Sequence, residues 1–308
     1  SAIKNGEWIL KKTQCLSSEK NVKRREKAAI VNELRQKYPL KDLLQLSGLA
    51  RSTFYYYIQH PIKDKYKKEK QEILYIFLAN KGRYGYRRIL IVLRQKGYTI
   101  NHKTVLKLMK ELNLKGKQRK NSKYRSYKGE IGKIADNLLN REFAATKPFE
   151  KLATDVTEFK VCNDKVYLSP VMDLYNREIV SYSISLSPNL QQIREMLDGL
   201  FKKLPANAKP LFHSDQGWQY QHSEYQRLLS EHNIVQSMSR KGNCMDNGAM
   251  ENFFGRLKVE MFYGEKFESV KAFIDELKRY IDYYNNERIS LKLKGMSPVQ
   301  YRTHSQAS

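Results

Sequence analysis

Three acidic residues have the types and settings that metal-dependent phosphodiester chemistry requires. Asp155 lies inside the apolar segment LATDVTEF, Asp215 follows the apolar segment LFHS, and Glu251 falls in the first turns of a predicted helix. Mg²⁺ prefers hard oxygen ligands in near-octahedral geometry, and a pair of such ions can act on both the attacking and the leaving oxygen of a phosphodiester. The three carboxylates are therefore predicted to be catalytic metal ligands.

Each carboxylate also has an ordinary structural explanation. Asp155 could face water from an edge strand, and Asp215 could be a turn residue before Gly217. Glu251 could be a first-turn acid that favours the helix dipole. The order and neighbourhoods of the three residues together favour a shared site.

Lys258 follows Glu251 by seven residues, which is almost two helical turns, so both side chains are predicted to share one face. A cation there could hold a nucleic-acid phosphate beside the carboxylates; the alternative is an ordinary surface lysine. Asn247 lies one turn earlier on that face, and His213 shares a strand face with Asp215. Either could touch substrate, although a capping Asn and a packed His are the more common outcomes.

From residue 151 onward the hydrophobic pattern predicts an α/β domain that would position these side chains. Strands are predicted at 152–161, 166–174, 178–185, 210–213 and 234–238, and helices at 189–203, 223–231, 246–263 and 269–285. Three strands followed by alternating helices and strands is the order of a ribonuclease H-like fold. We therefore predict a mixed five-stranded sheet with helices, preceded by small all-α domains.

Residues 24–62 are predicted to form a helix-turn-helix domain. Apolar residues at helical spacing are followed by the turn Ser47, Gly48 and Leu49, and then by a second helix. In such a domain the second helix is offered to the major groove. The residues predicted to contact DNA there are Arg51, Ser52 and Thr53. A plain helical hairpin is an equally good interpretation of this segment.

Residues 63–114 are predicted to form a second helix-turn-helix domain that contains the segment GRYGYRR. Asn101 is a predicted N-cap for a helix with an apolar inner face and a basic outer face. The residues predicted to contact DNA are Arg87, Arg88, Lys103 and Lys107. For Tyr84 and Tyr86, packing within the small domain is favoured over base stacking.

Residues 115–148 begin with a run of Lys and Arg that contains tyrosines and no acid. Such a segment cannot fold by itself and is predicted to be a basic linker that grips backbone phosphates, or equally a solvated hinge. The residues predicted to contact DNA are Lys117, Arg119, Lys120 and Arg125.

The overall charge supports a polyanionic partner. The 308 residues include 57 Lys and Arg against 32 Asp and Glu, a formal charge of +25, and nearly all of the excess lies in the first half of the chain. Clustered cations release condensed counterions when they neutralise phosphates, whereas a diffuse excess would serve solubility alone. Three scattered cysteines and the lack of an apolar run of about 20 residues favour a cytoplasmic, nucleoid-associated protein over a secreted or membrane protein.

Four segments resemble a known family nearly word for word: TDVTEF, HSDQGWQY, SMSRKGNCMDNGAMENFFGRLKVE and YNNERISLKLKGMSPVQYR. They are similar to bacterial insertion-sequence transposases of the IS three family, in its IS one-fifty group, whose core is similar to that of retroviral integrases. The family carries a DDE triad with 35 residues between the second Asp and the Glu. Asp215 and Glu251 enclose 35 residues, and Lys258 occupies the family's basic position.

The resemblance implies an activity, a cofactor and partners. Two Mg²⁺ ions, or Mn²⁺ in their place, would be held by Asp155, Asp215 and Glu251 to nick DNA at a transposon end. The freed 3′ hydroxyl would then attack another phosphodiester, first forming a circle and later joining target DNA. The implied partners are double-stranded DNA, as terminal inverted repeats and as target, and further copies of the chain in a dimer or higher oligomer.

The implied organisation has six parts. They are an N-terminal extension (1–23), two helix-turn-helix domains (24–62 and 63–114), the linker (115–148), the catalytic core (149–265) and a C-terminal helical extension (266–308). No His-His-Cys-Cys zinc module is present, so the likeness to retroviral integrases stops at the core. Residues 1–26 show no heptad pattern, and the chain is expected to be the downstream portion of a longer product.

Two other functions fit parts of the pattern. A sequence-specific repressor would need the basic helices but an inert core, and only the intact triad argues against it. A nuclease acting on RNA–DNA hybrids would use the same carboxylates on another substrate.

Overall fold

A computed structural model describes residues 24–60, 64–118, 134–240 and 244–306. The chain divides into two units, residues 1–67 and residues 68–308. The predicted DNA-contacting residues Arg119, Lys120 and Arg125 lie outside the described residues. Within the described part of the chain, every helix is too short or too polar to span a lipid bilayer.

The first unit contains three helices, α1 (Arg24–Leu34), α2 (Leu40–Ser47) and α3 (Arg51–Gln59). The α1 helix packs against both later helices around a small apolar core that includes Val31 and Phe54. Gly48 ends α2 at a left-handed φ of 64°, which lets the chain turn within a few residues into α3. Since α2 and α3 pack mainly on α1, this arrangement favours the helix-turn-helix over a plain hairpin.

The second unit begins with α4 (Lys67–Ala79), α5 (Tyr86–Gln95) and α6 (His102–Glu111). Asn101 caps α6 as predicted, because its side-chain oxygen accepts a hydrogen bond from the Lys103 N–H at 2.8 Å. Tyr84 is buried, and its hydroxyl accepts a hydrogen bond from the Ile289 N–H at 3.1 Å. Packing therefore explains Tyr84, and this contact joins the helical region to the rest of the unit.

A six-stranded mixed sheet forms the centre of the second unit. Its strands are β1 (Lys151–Thr154), β2 (Thr157–Val161), β3 (Asp164–Asp173), β4 (Ile179–Ser185), β5 (Leu211–Ser214) and β6 (Val235–Met238). The β3 strand pairs antiparallel with β1, β2 and β4, whereas β1, β5 and β6 run parallel. This mixed sheet confirms the predicted ribonuclease H-like fold class.

The first predicted strand, 152–161, is broken into β1 and β2. The two residues at the break, Asp155 and Val156, lie between the pairs Thr154↔Val171 and Thr157↔Leu168. The facing segment of β3 contains Pro170, which has no N–H to donate to the ladder. The Val156 N–H instead donates to the Asp155 carboxylate at 2.7 Å, so the break occurs at the candidate metal ligand.

Helices cover both faces of the sheet. The helices are α7 (Leu190–Phe201), α8 (Trp218–Gln221), α9 (Ser223–Glu231), α10 (Gly248–Leu257), α11 (Val270–Asn286) and α12 (Pro298–Gln306). The α7, α8 and α9 helices share a core with Leu152 and Phe212, and α10 and α11 share another with Phe159 and Met172. The segment predicted as a C-terminal extension therefore contributes α11 to the core of the same domain.

Part of the predicted linker is packed against this domain. Leu139 is buried, and the N–H groups of Leu138 and Leu139 donate to the Ser237 hydroxyl at 3.0 and 3.2 Å. Residues 134–148 are therefore held in place near the end of β6, and the basic run 119–133 lies outside the described residues.

Asp173, at the end of β3, makes the stability of the fold depend on pH. Burial raises the pKa of Asp173 to about 6, against hydrogen bonds that it accepts from the Phe149 and Tyr175 N–H groups. A folded-state pKa above the unfolded value of about 3.9 favours folding at low pH, and this contribution is lost as the pH rises through about 6. The loss amounts to about 3 kcal/mol.

Asp173→Asn removes the titrating charge but keeps only one of the two acceptors. The wild type should therefore be the more stable protein near pH 4, and its advantage should shrink by about 3 kcal/mol toward neutral pH. Urea unfolding at several pH values measures this difference, with the exposed Asp198→Asn as the control. A constant difference across the range would contradict the assignment.

Candidate active site

Asp155 and Asp215 leave the sheet side by side. The β1 and β5 strands are parallel neighbours with Ala153 opposite His213, and each aspartate follows two residues later. Carboxyl ends of adjacent parallel strands meet at one edge of a sheet, where functional sites gather. Asp215 is held by its own turn, because its Oδ1 accepts a hydrogen bond from the Gly217 N–H at 2.9 Å.

Glu251 reaches the same edge from the first turn of α10. The residue before that helix, Asn247, is buried and its Nδ2 donates to the Thr154 carbonyl at 3.2 Å. This bond ties the beginning of α10 to the end of β1. Strand β1, strand β5 and helix α10 thus bring the three predicted carboxylates to one region.

Electrostatics couples the carboxylates. Burial, followed by the charge of Asp215 and then that of Glu251, raises the pKa of Asp155 well above its usual range. Burial also raises the pKa of Asp215. Tyr220 lies beneath the site, fully buried, and its own pKa is raised by burial and then by the charges of Asp155 and Asp215. A bound cation would stabilise these carboxylates, because it would offset the repulsion between their like charges.

Lys258 lies near Asp155, because the charge of each residue acts on the pKa of the other. Burial lowers the pKa of Lys258, while the charges of Asp155 and Glu158 act in the opposite direction. Its ammonium lies 5.3 Å from the centre of the Phe159 ring. The helix changes at this residue to a π-helical turn, Lys258–Phe262, a local form that is frequent at functional sites.

The residues present fit a hard divalent cation by the chemistry of their donors. The charges of Asp215 and Glu251 both raise the pKa of Asp155, so the three ionised carboxylates repel one another, and Mg²⁺ is commonly bound by such oxygens together with substrate phosphates. As the side chains stand, no three His, Cys, Asp or Glu residues in the described ranges lie close enough to share one ion. Metal binding would therefore have to draw the carboxylates together.

Asp246 holds the segment before α10 in place, a role that sequence reasoning missed because it had placed Asp246 only at the start of a helix. Its fully buried carboxylate accepts hydrogen bonds from Arg141 at 2.7 Å, from Arg240 at 2.9 Å and from Asn137 at 2.9 Å. The hydrogen bonds of Arg240 hold the pKa of Asp246 well below its usual range. Asp246 thus fastens the segment that leads into α10 to the end of β6.

Two polar residues singled out near the triad have internal partners. His213 is buried between the Ser237 and Ser239 hydroxyls at 2.9 and 3.1 Å, which is the packed outcome. Asn247 is 4% exposed and bonds to Thr154, so its position favours fixing β1 against α10 over the DNA contact predicted for it.

The residues predicted to contact DNA fall into two groups. Those on the surface, fully or in part, are Arg51, Ser52, Thr53, Arg87, Lys103 and Lys107. Two others have acidic partners in the fold: Arg88 with Glu260 at 3.3 Å and Lys117 with Glu265 at 2.7 Å. The position of Arg88 favours an internal ion pair over a DNA contact.

Glu260 is the centre of a buried network that sequence reasoning missed. Its carboxylate accepts two hydrogen bonds from Arg288 at 2.6 and 2.8 Å, one from the Tyr280 hydroxyl at 3.0 Å and one from Arg88 at 3.3 Å. Lys117 also donates to the Glu260 carbonyl at 3.3 Å. The π-helical turn after Lys258 is therefore fastened both to α11 and to the helical region that precedes the sheet.

Three stretches of the chain match known families. Residues 145–244 and residues 251–305 match integrase core domains, and residues 63–122 match an HTH-like domain. The integrase core matches therefore cover the sheet, the three carboxylates and α11.

Individual relatives are similar over most of the chain. A relative from Escherichia coli K12, named "Putative transposase InsK for insertion sequence element IS150", is 52% identical over 277 residues, covering 90% of this chain and 98% of the relative. Transposase InsF of IS3A from the same organism is 30% identical over 289 residues, covering 91% and 100%. Among solved structures, the HTLV-2 integrase catalytic core domain in complex with magnesium is 17% identical with a TM-score of 0.38, covering 51% of this chain and 98% of that chain.

Proposed function

The chain belongs to the bacterial insertion-sequence transposases of the IS three family, and we propose that it nicks and joins DNA ends at Asp155, Asp215 and Glu251. The observation that supports the proposal is that β1, β5 and α10 bring three partly buried carboxylates to one region, where the charges of Asp215 and Glu251 act on Asp155. The substrate is double-stranded DNA that carries the terminal inverted repeats of the element.

Asp155, Asp215 and Glu251 would hold two Mg²⁺ ions, or Mn²⁺ in their place, which supply charge neutralisation at the phosphate and a more acidic attacking oxygen. The chain's own part is to fix the geometry. The parallel β1 and β5 strands set the spacing of the two aspartates, and Asn247 fixes the helix that carries Glu251. Lys258 lies beside Asp155, where its ammonium can bind the phosphate of the DNA end.

Both steps are displacements at phosphorus. In the first, a water oxygen bonds to phosphorus and the 3′ oxygen departs as a hydroxyl. In the second, that 3′ hydroxyl attacks another phosphodiester, so one P–O bond replaces another and no outside energy source is required. A circle forms when the target is the other end of the element, and integration follows when the target is new DNA.

The direct test uses duplexes taken from the matching inverted repeats that flank the chain's own gene. With Mg²⁺ we expect nicks that leave 3′ hydroxyls at the repeat tips, and joined products on a denaturing gel. RNA–DNA hybrids of the same sequence should be poor substrates. Preferential cutting of the hybrids would favour the hybrid nuclease, and binding without cutting would favour the repressor.

The helical regions are proposed to bind the repeats through α3 and α6. Arg51 and Lys107 are exposed on these helices, and Lys107 has only a long pairing with Glu111 at 3.9 Å among the described contacts. Arg51→Ala and Lys107→Ala should each weaken binding to the repeats by about tenfold. Equilibrium binding by fluorescence anisotropy measures this, with the exposed Lys202→Ala as the control. Unchanged binding would contradict the proposed surface.

Joining two ends requires that both be held at once, so we propose that the active assembly contains at least two copies of the chain. Light scattering of the protein mixed with end duplexes should give a mass of two copies or more.

A further inference from the structure

A cavity of about 340 Å³ lies beside the catalytic helix α10. One wall is formed by α10 and the π-helical turn, including Asn252, Arg256 and Glu260, and the other by the helical region that precedes the sheet. The lining contains one carboxylate, that of Glu260, and five cations. The cations are Arg83, Arg88, Lys117, Arg256 and Arg288. Two of these cations also have acidic partners outside the lining, Lys117 with Glu265 at 2.7 Å and Arg83 with Glu276 at 3.8 Å, so the excess positive charge of the cavity lies mainly at Arg88, Arg256 and Arg288.

The one carboxylate is fully engaged. Glu260 already accepts hydrogen bonds from Arg288, Arg88 and Tyr280. Burial, followed by the charge of Arg288, lowers the pKa of Arg88, so the two arginines repel each other across a shared partner. Arg256 is exposed at the cavity and makes no ion pair or hydrogen bond with the described residues. The cavity therefore offers positive charge that the described part of the chain does not balance.

A second hollow of about 220 Å³ shares part of its lining with the first. Both are lined by Asn252, Arg256 and Arg288, and the second adds the cations Arg177 and Lys292. The guanidinium of Arg177 also lacks an ion pair with the described residues, and burial followed by the charge of Arg256 lowers the pKa of Arg177. The two hollows together form one basic track along α10.

The backbone holds Arg177 in place within this track. Its φ of 65° is a left-handed value that a non-glycine residue adopts at a cost. The Tyr284 hydroxyl donates to the Arg177 carbonyl at 3.0 Å, and Tyr284 is itself buried in the core. The position of Arg177 is thus fixed by the fold.

The shape and position of the track indicate its occupant. Two adjoining hollows with cations spaced along them suit a repeating polyanion better than a single small anion. Asn252, which lines both hollows, is the residue after Glu251 and lies about 100° around the helix from it, so a strand lying in the track runs along the face of α10 that adjoins the face of Glu251. The opposite wall includes Arg83 and Lys117, from the region whose α6 surface is proposed to hold the terminal repeat.

We infer that the track binds the sugar-phosphate backbone of the transposon-end DNA along the face of α10 that adjoins the triad, with Arg256 and Arg177 as phosphate-binding residues. This inference rests on the proposed function. It adds a substrate-positioning surface outside the triad and Lys258, and it assigns that surface to end DNA and not to target DNA.

Arg256→Ala tests the inference, because Arg256 is exposed and has no described partner whose loss would disturb the fold. The matched control is Arg227→Ala, an exposed arginine of α9 on the opposite face of the sheet. Binding of the repeat duplex is measured by anisotropy with EDTA present and at several salt concentrations. We expect Arg256→Ala to weaken binding about tenfold and to reduce the slope of log K against log salt by about one.

Arg227→Ala should leave both quantities unchanged, and Arg256→Lys should restore most of the slope because the charge is kept. A scrambled duplex should lose the same slope, since phosphates carry no sequence information. Equal behaviour of Arg256→Ala and Arg227→Ala would overturn the track. Cutting by the wild type is measured separately. If the wild type does not cut but Arg256→Ala still weakens binding and reduces the salt slope, the proposed function is overturned and the track remains supported.

Ethylation interference then locates the contact. Ethylation of phosphates near the repeat tip should block binding by the wild type, and one or two of those phosphates should lose their effect with Arg256→Ala. Loss of effect only at phosphates far from the tip would overturn the assignment to end DNA beside the cut.

Discussion

Asp155→Asn should abolish metal-dependent cutting of the end duplex and, without metal, should make the folded chain more stable. The two effects have one cause. Asp155 is a partly buried carboxylate whose pKa is raised by desolvation and by two neighbouring acids, so its negative charge is costly in the fold and stabilises a bound cation. An Asn can still accept the Val156 N–H through its oxygen, so the local backbone is kept.

The expected loss of cutting is about 10³-fold or more, the scale on which charge stabilisation acts in phosphoryl transfer. The expected gain in stability is about 1 kcal/mol or more, seen as a rise of a few degrees in Tm in EDTA. Mg²⁺ should raise the Tm of the wild type and not that of the variant, because a ligand stabilises only the protein that binds it. Gel assays and thermal unfolding measure the two effects.

Asp164→Asn is the matched control, since Asp164 is an exposed carboxylate of the same sheet. It should cut normally and respond normally to Mg²⁺. Asp215→Asn and Glu251→Gln should lose cutting as Asp155→Asn does, and combining them should add little because the three act as a unit. Metal-dependent joining by Asp155→Asn would show that the catalytic assignment is wrong.

Glu260→Gln is expected to cost more stability than any of these substitutions. Burial alone would raise the pKa of Glu260, but the hydrogen bonds and charge of Arg288, then Arg88 and Tyr280, lower it below its usual range. The variant leaves two largely buried arginines without a carboxylate. Removing one partner of a buried ion pair costs about 3–5 kcal/mol, which corresponds to a fall of about 10 °C in Tm.

The pH dependence has a definite sign. A depressed carboxylate pKa contributes stability above the unfolded value, about 4.3, and this contribution disappears as the pH falls through the folded value. The wild type should therefore lose its advantage over Glu260→Gln in acid. Glu268→Gln, an exposed glutamate outside the network, should match the wild type at every pH.

A second substitution separates charge from packing. Adding Arg288→Met to Glu260→Gln removes a charge that no longer has a partner, so part of the lost stability should return. The free energies of unfolding of the two single variants and the double variant are compared. If Arg288→Met lowers the stability of Glu260→Gln as much as it lowers that of the wild type, the two residues do not act as a pair.

The strands and helices of the core were predicted well where apolar residues recur at regular spacing. The predicted strands and helices of the core correspond closely to β3, β4, β5, β6, α7 and α9, because alternating or helical burial is written directly into residue order. The single strand predicted at 152–161 was the exception. Its break depends on Pro170 in the facing strand and on the Asp155 side chain, and an apolar pattern contains neither.

Polar residues were harder to interpret, because their roles depend on partners far along the chain. Arg88 lies in a basic segment that is typical of DNA-binding proteins, but its ion-pair partner Glu260 is 172 positions away. Asn247 bonds to a carbonyl 93 positions away. The triad itself was recognisable because its neighbourhoods and spacing resemble a family, and its roles as metal ligands stay a prediction.

The contacts of Arg88 and Lys117 with Glu260 in the π-helical turn have a consequence for the distance along the DNA between the repeat and the cut. The α6 surface and the triad belong to the same compact unit of the chain. If α6 binds the terminal repeat as proposed, a fixed number of base pairs should separate the bases at α6 from the phosphate that is cut. Inserting a few base pairs into that interval should stop the reaction instead of moving the cut.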